Sequence, residues 1–186
     1  MASLPLPFFG QTGYEFWFAA PAVTNHTISP SPLLYTDLNI PIRLYCTTSE
    51  GPASVTIEQP ANPTFAPIIQ TVNNNAPTEI DLTPYLDSIE NKPANTVLNR
   101  GLRITSDKRI NVIYEVQSLY NAATYTLGGK NALGYEFIIP AQCHFSNYQH
   151  CDPPARNVFD IVATEDSTTV QIVPKRDIIG HNALDS

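Results

Sequence analysis

The chain has 186 residues, with 17 prolines, 8 glycines and only 15% charged side chains, and its formal net charge is −7. So many prolines exclude a mainly helical protein, because each proline inside a helix costs about 3 kcal/mol. The acidic balance and the lack of a basic run argue against nucleic acid and anionic membranes as partners. No apolar run reaches the roughly 18 residues of a membrane-spanning helix. We therefore expect an all-β protein without a membrane span.

The N-terminal segment, residues 1–12, is expected to stand apart from the fold. Its apolar stretch has no basic start and no small-residue cleavage site, so it is a signal-peptide remnant, a vector-derived start or an ordinary leading segment. In the loop after the first strand, Asn25 begins an Asn-His-Thr triplet, which is an acceptor for glycosylation.

The first strong strand begins with Gly-Tyr-Glu-Phe-Trp-Phe. Because strand side chains alternate, Tyr14, Phe16 and Phe18 are predicted on one face, with Glu15 and Trp17 on the other. We expect Trp17, the single tryptophan, to pack in the core or on the face of the sheet.

A carboxylate between aromatic residues needs a cationic partner. Glu15 has this setting, and Glu136 recurs in an equivalent one. Arg43, Arg100 and Arg103 are the candidate partners. Paired carboxylates also serve glycosidases, but no other feature of the sequence supports that activity.

Three segments share one plan, in which a β-branched strand enters a short Thr, Ser and acid-rich turn and returns as a second strand. They are residues 44–57, 101–114 and 159–174, and each is predicted to be a β-hairpin. Their turn acids are Glu50, Asp107, Glu165 and Asp166. Turn carboxylates can bind calcium, but no EF-hand loop is present, so we predict solvated turns.

Residue alternation and turn signals place the remaining elements. Further strands are predicted at 68–72, 78–82, 122–127 and 133–140, with a helical turn at 83–90. Thr83 is expected to cap this turn, and Pro84 fits its first helical position.

The three cysteines cannot all pair within one chain. Cys46 lies in a strand pattern and is predicted to be a buried thiol. Cys143 and Cys151 bracket a loop that a disulfide would close, but free thiols are an alternative. Together with His144 and His150 they would also form a zinc-ligand set, although adjacent residues point apart. We expect no cofactor.

An internal repeat is indicated because the sequence Gly-Tyr-Glu-Phe at Gly13 recurs at Gly134, and each copy leads to a proline, a loop and a hairpin pattern. The sequence predicts a first β repeat at 13–118 and a second, partial repeat at 124–186 packed against it. The expected fold is two related antiparallel β-sandwich-like halves, of which the second is incomplete. An incomplete half would leave unpaired β edges and an uncovered face. They would either complete the sheets of the first copy or be covered by a missing C-terminal segment or by a partner, which is a second copy or another protein.

These motifs resemble the N-terminal domain of the IgGFc-binding protein family. The resemblance covers most of residues 13–174, and it departs from the family pattern at Asn121 and Ala122 and after the third hairpin. The matching segments begin at Gly13, Gly101, Ala123, Leu133 and Ile161, the last reading Ile-Val-Ala-Thr-Glu-Asp-Ser-Thr-Thr-Val. The family occurs in mucus-associated animal proteins and in large bacterial surface and secreted proteins.

The resemblance implies a non-catalytic extracellular or cell-surface module for adhesion, with a protein or glycoprotein ligand. The expected contact loop is 141–157, with Phe145 and Tyr148 as aromatic contacts. One alternative is a carbohydrate-binding module, in which Trp17, Tyr14 or Tyr148 stacks on sugar rings. Another is a structural or assembly subunit that uses exposed β edges.

Overall fold

The structure is a computed structural model that describes residues 11–22, 42–74, 76–117, 123–140 and 158–174. These ranges form mostly antiparallel β-sheet with few helices, and the sheet is nearly closed into a barrel-like shape. The strands are β1 (Gly13–Phe18), β2 (Ile42–Thr48), β3 (Ala53–Glu58), β4 (Ile68–Val72), β5 (Thr78–Asp81), β6 (Leu102–Val116) and β7 (Ala123–Thr126). The helical elements are a 3-10 turn at Thr83–Tyr85, the short helix α1 (Leu86–Ile89) and a 3-10 turn at Gly129–Ala132.

β6 is the strand to which most of the sheet attaches. Its N-terminal half lies between β1 and β3, so that Ile104 is paired with Phe16 on one side and Ile57 on the other. Its C-terminal half lies between β2 and β7, where Tyr114 is paired with Leu44 and Tyr125. The path β4-β3-β6-β2-β5 then curves until β4 and β5 lie side by side.

The core lies on the inner face of this curved sheet. Every second residue of β2 is buried, and β6 alternates in the same way at both ends, because successive strand side chains point to opposite faces. Phe16, Leu44 and Ile104 are fully enclosed there, and α1 adds Leu86 and Ile89 to the same cluster. Buried aliphatic and aromatic groups of this kind contribute about 1.5–3 kcal/mol each.

The first two predicted hairpins are wrong in topology. β2 and β3 do form, but each pairs with β6 and not with the other. Residues 101–114 contain no reversal, since β6 runs straight through them as a single 15-residue strand. The polar middle of β6 instead makes an irregularity opposite β1, where the register shifts between Gly13 and Glu15. Turn-forming side chains therefore mark a local bulge here. The chain does not reverse, because β6 is paired both before and after the bulge.

The predicted strands in the second half also differ from the structure. Residues 133–140 and 158–174 have no strand pairing within the described ranges, and only β7 of this half joins the sheet. The turn expected near Glu165 is present, since the Thr168 hydroxyl donates to the Glu165 carbonyl at 2.7 Å. A β-branched sequence is therefore not enough to form a strand, because a strand without a neighbour leaves its backbone N–H and C=O groups unpaired.

The helical turn at 83–90 is confirmed, but its predicted cap is wrong. No Thr83 side-chain cap forms, and the Asp81 carboxylate instead accepts the Thr83 amide at 2.9 Å. The Thr83 hydroxyl donates to the same carboxylate. These bonds hold the pKa of Asp81 below its usual value, although burial opposes them.

Replacing Ile104 by alanine should destabilise the fold more than a matched change elsewhere. Ile104 is 0% exposed between β1 and β3, so Ile104→Ala should lower the free energy of unfolding by about 2–5 kcal/mol. The control is Ile69→Ala on β4, which is 70% exposed and should change it by less than about 0.5 kcal/mol. Urea denaturation of both variants measures this, and equal effects would contradict a core organised around β6.

Candidate functional site

The carboxylate of Glu15 is the centre of a polar cluster on the outer face of the sheet. Arg103 donates from Nε to Glu15 Oε1 at 3.1 Å, and the indole N–H of Trp17 donates to the same oxygen at 3.2 Å. Lys130 Nζ lies 3.8 Å from Glu15 Oε2, and the Arg103 guanidinium also lies 3.6 Å from Glu58. The prediction of an arginine partner for Glu15 is confirmed, and the partner is Arg103.

The other two candidate arginines have different roles. Arg43 Nε lies 2.9 Å from Glu79 Oε1 and forms an ion pair with it. The Nε–H group is not directed at that oxygen well enough to count as a hydrogen bond. Arg100 donates to the backbone carbonyl of Glu90. The Glu90 side chain is fully buried and lies 2.7 Å from Lys92 Nζ, so its charge is balanced inside the fold.

Trp17 and Tyr14 do not form a common stacking surface. Trp17 lies half-buried on the outer face of β1, as sheet-face packing predicted, and the Arg103 guanidinium lies 5.9 Å from its ring centre. Tyr14 is half-exposed and falls on the alternate face, where Arg109 lies 5.9 Å from its ring. Each ring is therefore engaged by its own arginine.

Two of the turn acids bridge neighbouring segments and are not simply solvated. Asp107 accepts the Ser54 backbone N–H at 2.7 Å, and Glu50 accepts the Arg109 backbone N–H at 3.2 Å. The bulge of β6 is thereby joined to the β2–β3 connection. Gly51 belongs to this connection and has a φ of +89°, a conformation that glycine adopts without strain.

Cys46 is confirmed as a buried free thiol on β2. Burial raises the pKa of this thiol to about 12, which keeps it in its unreactive protonated form. The other predicted site residues lie outside the described ranges: Asn25, Cys143, His144, Phe145, Tyr148, His150 and Cys151.

A second polar cluster, made of a carboxylate and two aromatic rings, lies where residues 158–163 meet the sheet. It was not predicted from the sequence. The Asn91 side-chain amide donates to Asp160 at 3.1 Å, and Tyr114 stacks on Tyr125 at a centroid distance of 5.3 Å. Asp160 is exposed at the surface, yet partial desolvation by the surrounding protein raises the pKa of its carboxyl, while the Asn91 bond opposes the rise. Burial and the nearby Tyr125 and Asp160 raise the pKa of Tyr114 to about 12. Only long-range contacts create this cluster, so a local sequence pattern carries no sign of it.

Exposed apolar side chains are concentrated after residue 132. Ile138 is 93% exposed and Val173 is 72% exposed, although both come from strongly β-forming sequence. The set in this part of the chain is Leu133, Tyr135, Phe137, Ile138, Ile139, Val158, Phe159, Ile161, Val170, Ile172 and Val173. Where exposed apolar side chains lie together, they are typical of surfaces that bind another protein.

Comparisons with known proteins do not identify a relative. No family model matches the chain, and no curated protein or solved structure matches it significantly. None of the helices in the described ranges is long and apolar enough to cross a bilayer. The same ranges contain no group of three or more His, Cys, Asp or Glu side chains arranged to hold a metal ion.

Removing the Arg103 guanidinium should loosen the outer-face cluster. Arg103→Met leaves Glu15 without its closest cation and should lower the free energy of unfolding by about 1 kcal/mol. Arg109→Met is the control, because the Arg109–Glu50 pair is longer, at 3.9 Å, and more exposed. Chemical denaturation followed by Trp17 fluorescence measures both, and an equal or smaller effect of Arg103→Met would contradict this role.

Stability should fall in alkaline solution because the thiol of Cys46 ionises only in the unfolded chain. Its pKa rises from 9.0 to about 12 on folding, so the unfolded state loses its proton first. Between pH 9 and pH 10 this lowers the free energy of unfolding by about 1 kcal/mol. Denaturation at several pH values should show a shallower slope in Cys46→Val than in the natural chain, by about 1 kcal/mol between pH 9 and pH 10, while the raised pKa of Tyr114 keeps part of the decline in both. The same slope in both chains would contradict this prediction.

Proposed function

We propose that the chain is a non-catalytic extracellular recognition module that binds a protein or glycoprotein. The observation that carries this proposal is the group of exposed apolar side chains between Leu133 and Val173. Monomeric soluble proteins rarely leave large contiguous apolar patches in water, and those that do usually cover them with a partner. Among the described residues, the charged side chains are a weaker candidate for a binding surface, since most of them form ion pairs or hydrogen bonds with each other or with the backbone.

The sheet supports this role by serving as a rigid base. Residues 158–163 are attached to it through the Asn91–Asp160 hydrogen bond. Close packing adds to this attachment, because a Cβ built on Gly101 would lie 2.9 Å from Val162. Exposed segments that are anchored in this way lose less conformational entropy on binding than free ones.

The proposed location, outside the cell or at its surface, rests on the resemblance to the IgGFc-binding family. A low content of charged side chains together with many threonines and asparagines fits a secreted β-domain. The contact loop at 141–157, with Phe145 and Tyr148, remains part of this proposal.

Two other functions remain as alternatives. A carbohydrate-binding module would need a ring free for stacking, and its described candidates, Trp17 and Tyr14, each have an arginine 5.9 Å from the ring that a sugar would have to displace. An assembly subunit would use free strand edges. β1 and β7 each pair only with β6 among the described residues, and this observation favours that alternative.

A glycoprotein and glycan array tests the proposal with a matched pair of variants. Ile138→Ser should weaken binding to the protein or glycoprotein hit by about tenfold, because it removes an exposed apolar contact. Val97→Ser is the control, since Val97 is also almost fully exposed, at 98%, but lies in the first half. Neither change should alter the thermal midpoint.

Three outcomes would overturn the proposal. They are the absence of any array ligand, equal effects of the two variants, and hits confined to free glycans that Trp17→Ala abolishes. The last of these would establish the carbohydrate-binding alternative.

A further inference from the structure

Residues 158–163 contact the first half of the chain at two neighbouring points. The Asn91 side-chain amide donates to Asp160 Oδ1 at 3.1 Å. Two residues further along, Val162 packs closely on Gly101, since a Cβ built on this glycine would lie 2.9 Å from a Val162 methyl carbon. One contact is polar and the other is apolar. Together they dock the segment beside the start of β6.

Asp160 is the one titratable side chain in residues 158–163. It faces the uncharged amide of Asn91 and lies near Tyr114 of β6, because its charge contributes to the raised pKa of that tyrosine. Tyr125 of β7 stacks on Tyr114 and adds a second phenol to the cluster. These neighbours partly replace water around the carboxylate, and they carry no positive charge to compensate for it.

The two cations that flank the docking contact in the chain, Lys92 and Arg100, are engaged by another residue. Lys92 Nζ lies 2.7 Å from the Glu90 carboxylate, and Arg100 donates to the Glu90 backbone carbonyl. At Asp160 the opposing influences are therefore partial desolvation and the hydrogen bond from Asn91. Desolvation is the larger, so the pKa of Asp160 in the docked segment lies above its ordinary value of 3.8.

We propose that Asp160 is a pH-sensitive latch, which holds residues 158–163 against the first half of the chain more firmly in acid than at neutral pH. In acid, the protonated carboxyl still accepts from Asn91 through its carbonyl oxygen and carries no uncompensated charge into the contact.

The direction of the effect follows from proton linkage. Below pH 3.8 the carboxyl is protonated in the docked and in the undocked segment, so docking is at its firmest. As the pH rises from 3.8 through the raised pKa of the docked form, the undocked segment loses its proton first. Docking therefore weakens over this range and stays weaker at neutral pH.

The latch controls how firmly two exposed apolar side chains are held. Phe159 and Ile161 are 42% and 49% exposed on either side of Asp160. Firm docking fixes their position relative to the sheet, and release lets them move with the segment. This inference goes beyond the proposed function, because the docking equilibrium exists whether or not a ligand is bound.

An NMR titration of the isotope-labelled full chain, from about pH 3 to about pH 8, tests the latch. The Asp160 carboxyl should titrate at a higher pH than in a peptide of residues 158–174, which represents the undocked segment. A midpoint one pH unit above that of the peptide corresponds to docking about tenfold tighter in acid than at neutral pH. The amide signals of Val162 and Gly101 should shift with the same midpoint. An NOE between the Val162 methyl groups and Gly101 Hα reports the contact itself.

Variants separate a latch from a purely structural contact. Asn91→Ala should raise the midpoint further, because it removes the bond that favours the ionised form. Asp160→Asn resembles the protonated form, so it should keep the NOE at neutral pH and abolish the shared titration of Val162 and Gly101. Asp166→Asn is the control, because Asp166 is an exposed acid in the turn that follows, and it should change neither the midpoint nor the NOE.

Four results would overturn the proposal. They are a midpoint equal to or below that of the peptide, Val162 and Gly101 signals that do not follow Asp160, a midpoint that Asn91→Ala does not raise, and an NOE that is absent in acid or lost in Asp160→Asn. The last would mean that the segment does not dock, or that the charged form holds it.

Discussion

The constraint on which the rest of the structure depends is the pairing of β6 along both of its edges. A 15-residue strand is long enough to pair with four others. Two of them flank its N-terminal half and two flank its C-terminal half. It thereby joins β1 and β3 to β2 and β7 in one curved sheet. The core follows from this arrangement, since the buried side chains of β6 form one cluster with those of β1, β2 and β3. The connections between strands are secondary, because they only have to bring each strand to its place in the sheet, either on β6 or on a neighbour of β6.

The polar side chains of the first half mainly stabilise this scaffold. Glu15 binds Arg103, Glu50 and Asp107 join the β2–β3 connection to β6, and buried Glu90 lies against Lys92. Side chains that are satisfied internally would have to give up these bonds to bind a ligand, and that loss opposes binding. The capacity for recognition is therefore expected where apolar groups remain in water, which is the second half of the chain.

In the proposed function, this division would let one sequence combine a stable part with a binding part. In the first half, apolar alternation is fulfilled by pairing and burial. In the second half, the consecutive apolar residues Phe137, Ile138 and Ile139 remain exposed. In the proposed function a protein ligand would cover these side chains, and the free energy of covering the apolar groups would then drive binding and not folding. Recognition in this view uses the same interactions that build the sheet.

The amino-acid sequence alone determined the β class, the individual strands β1 to β5 and β7, the helical turn at 83–90, the buried state of Cys46 and an arginine partner for Glu15. These properties are local, because alternation, turn residues and an isolated carboxylate can be recognised within a few positions. Only the tertiary structure decided that residues 101–114 form one strand and not a hairpin, that β2 and β3 both pair with β6, and that Asp160 meets Asn91. Strand pairing joins residues far apart in the chain, and identical β-forming patterns are compatible with several partners. The same reason separates β1 from residues 134–139, which both begin with Gly-Tyr-Glu-Phe, although among the described residues only β1 has a strand neighbour.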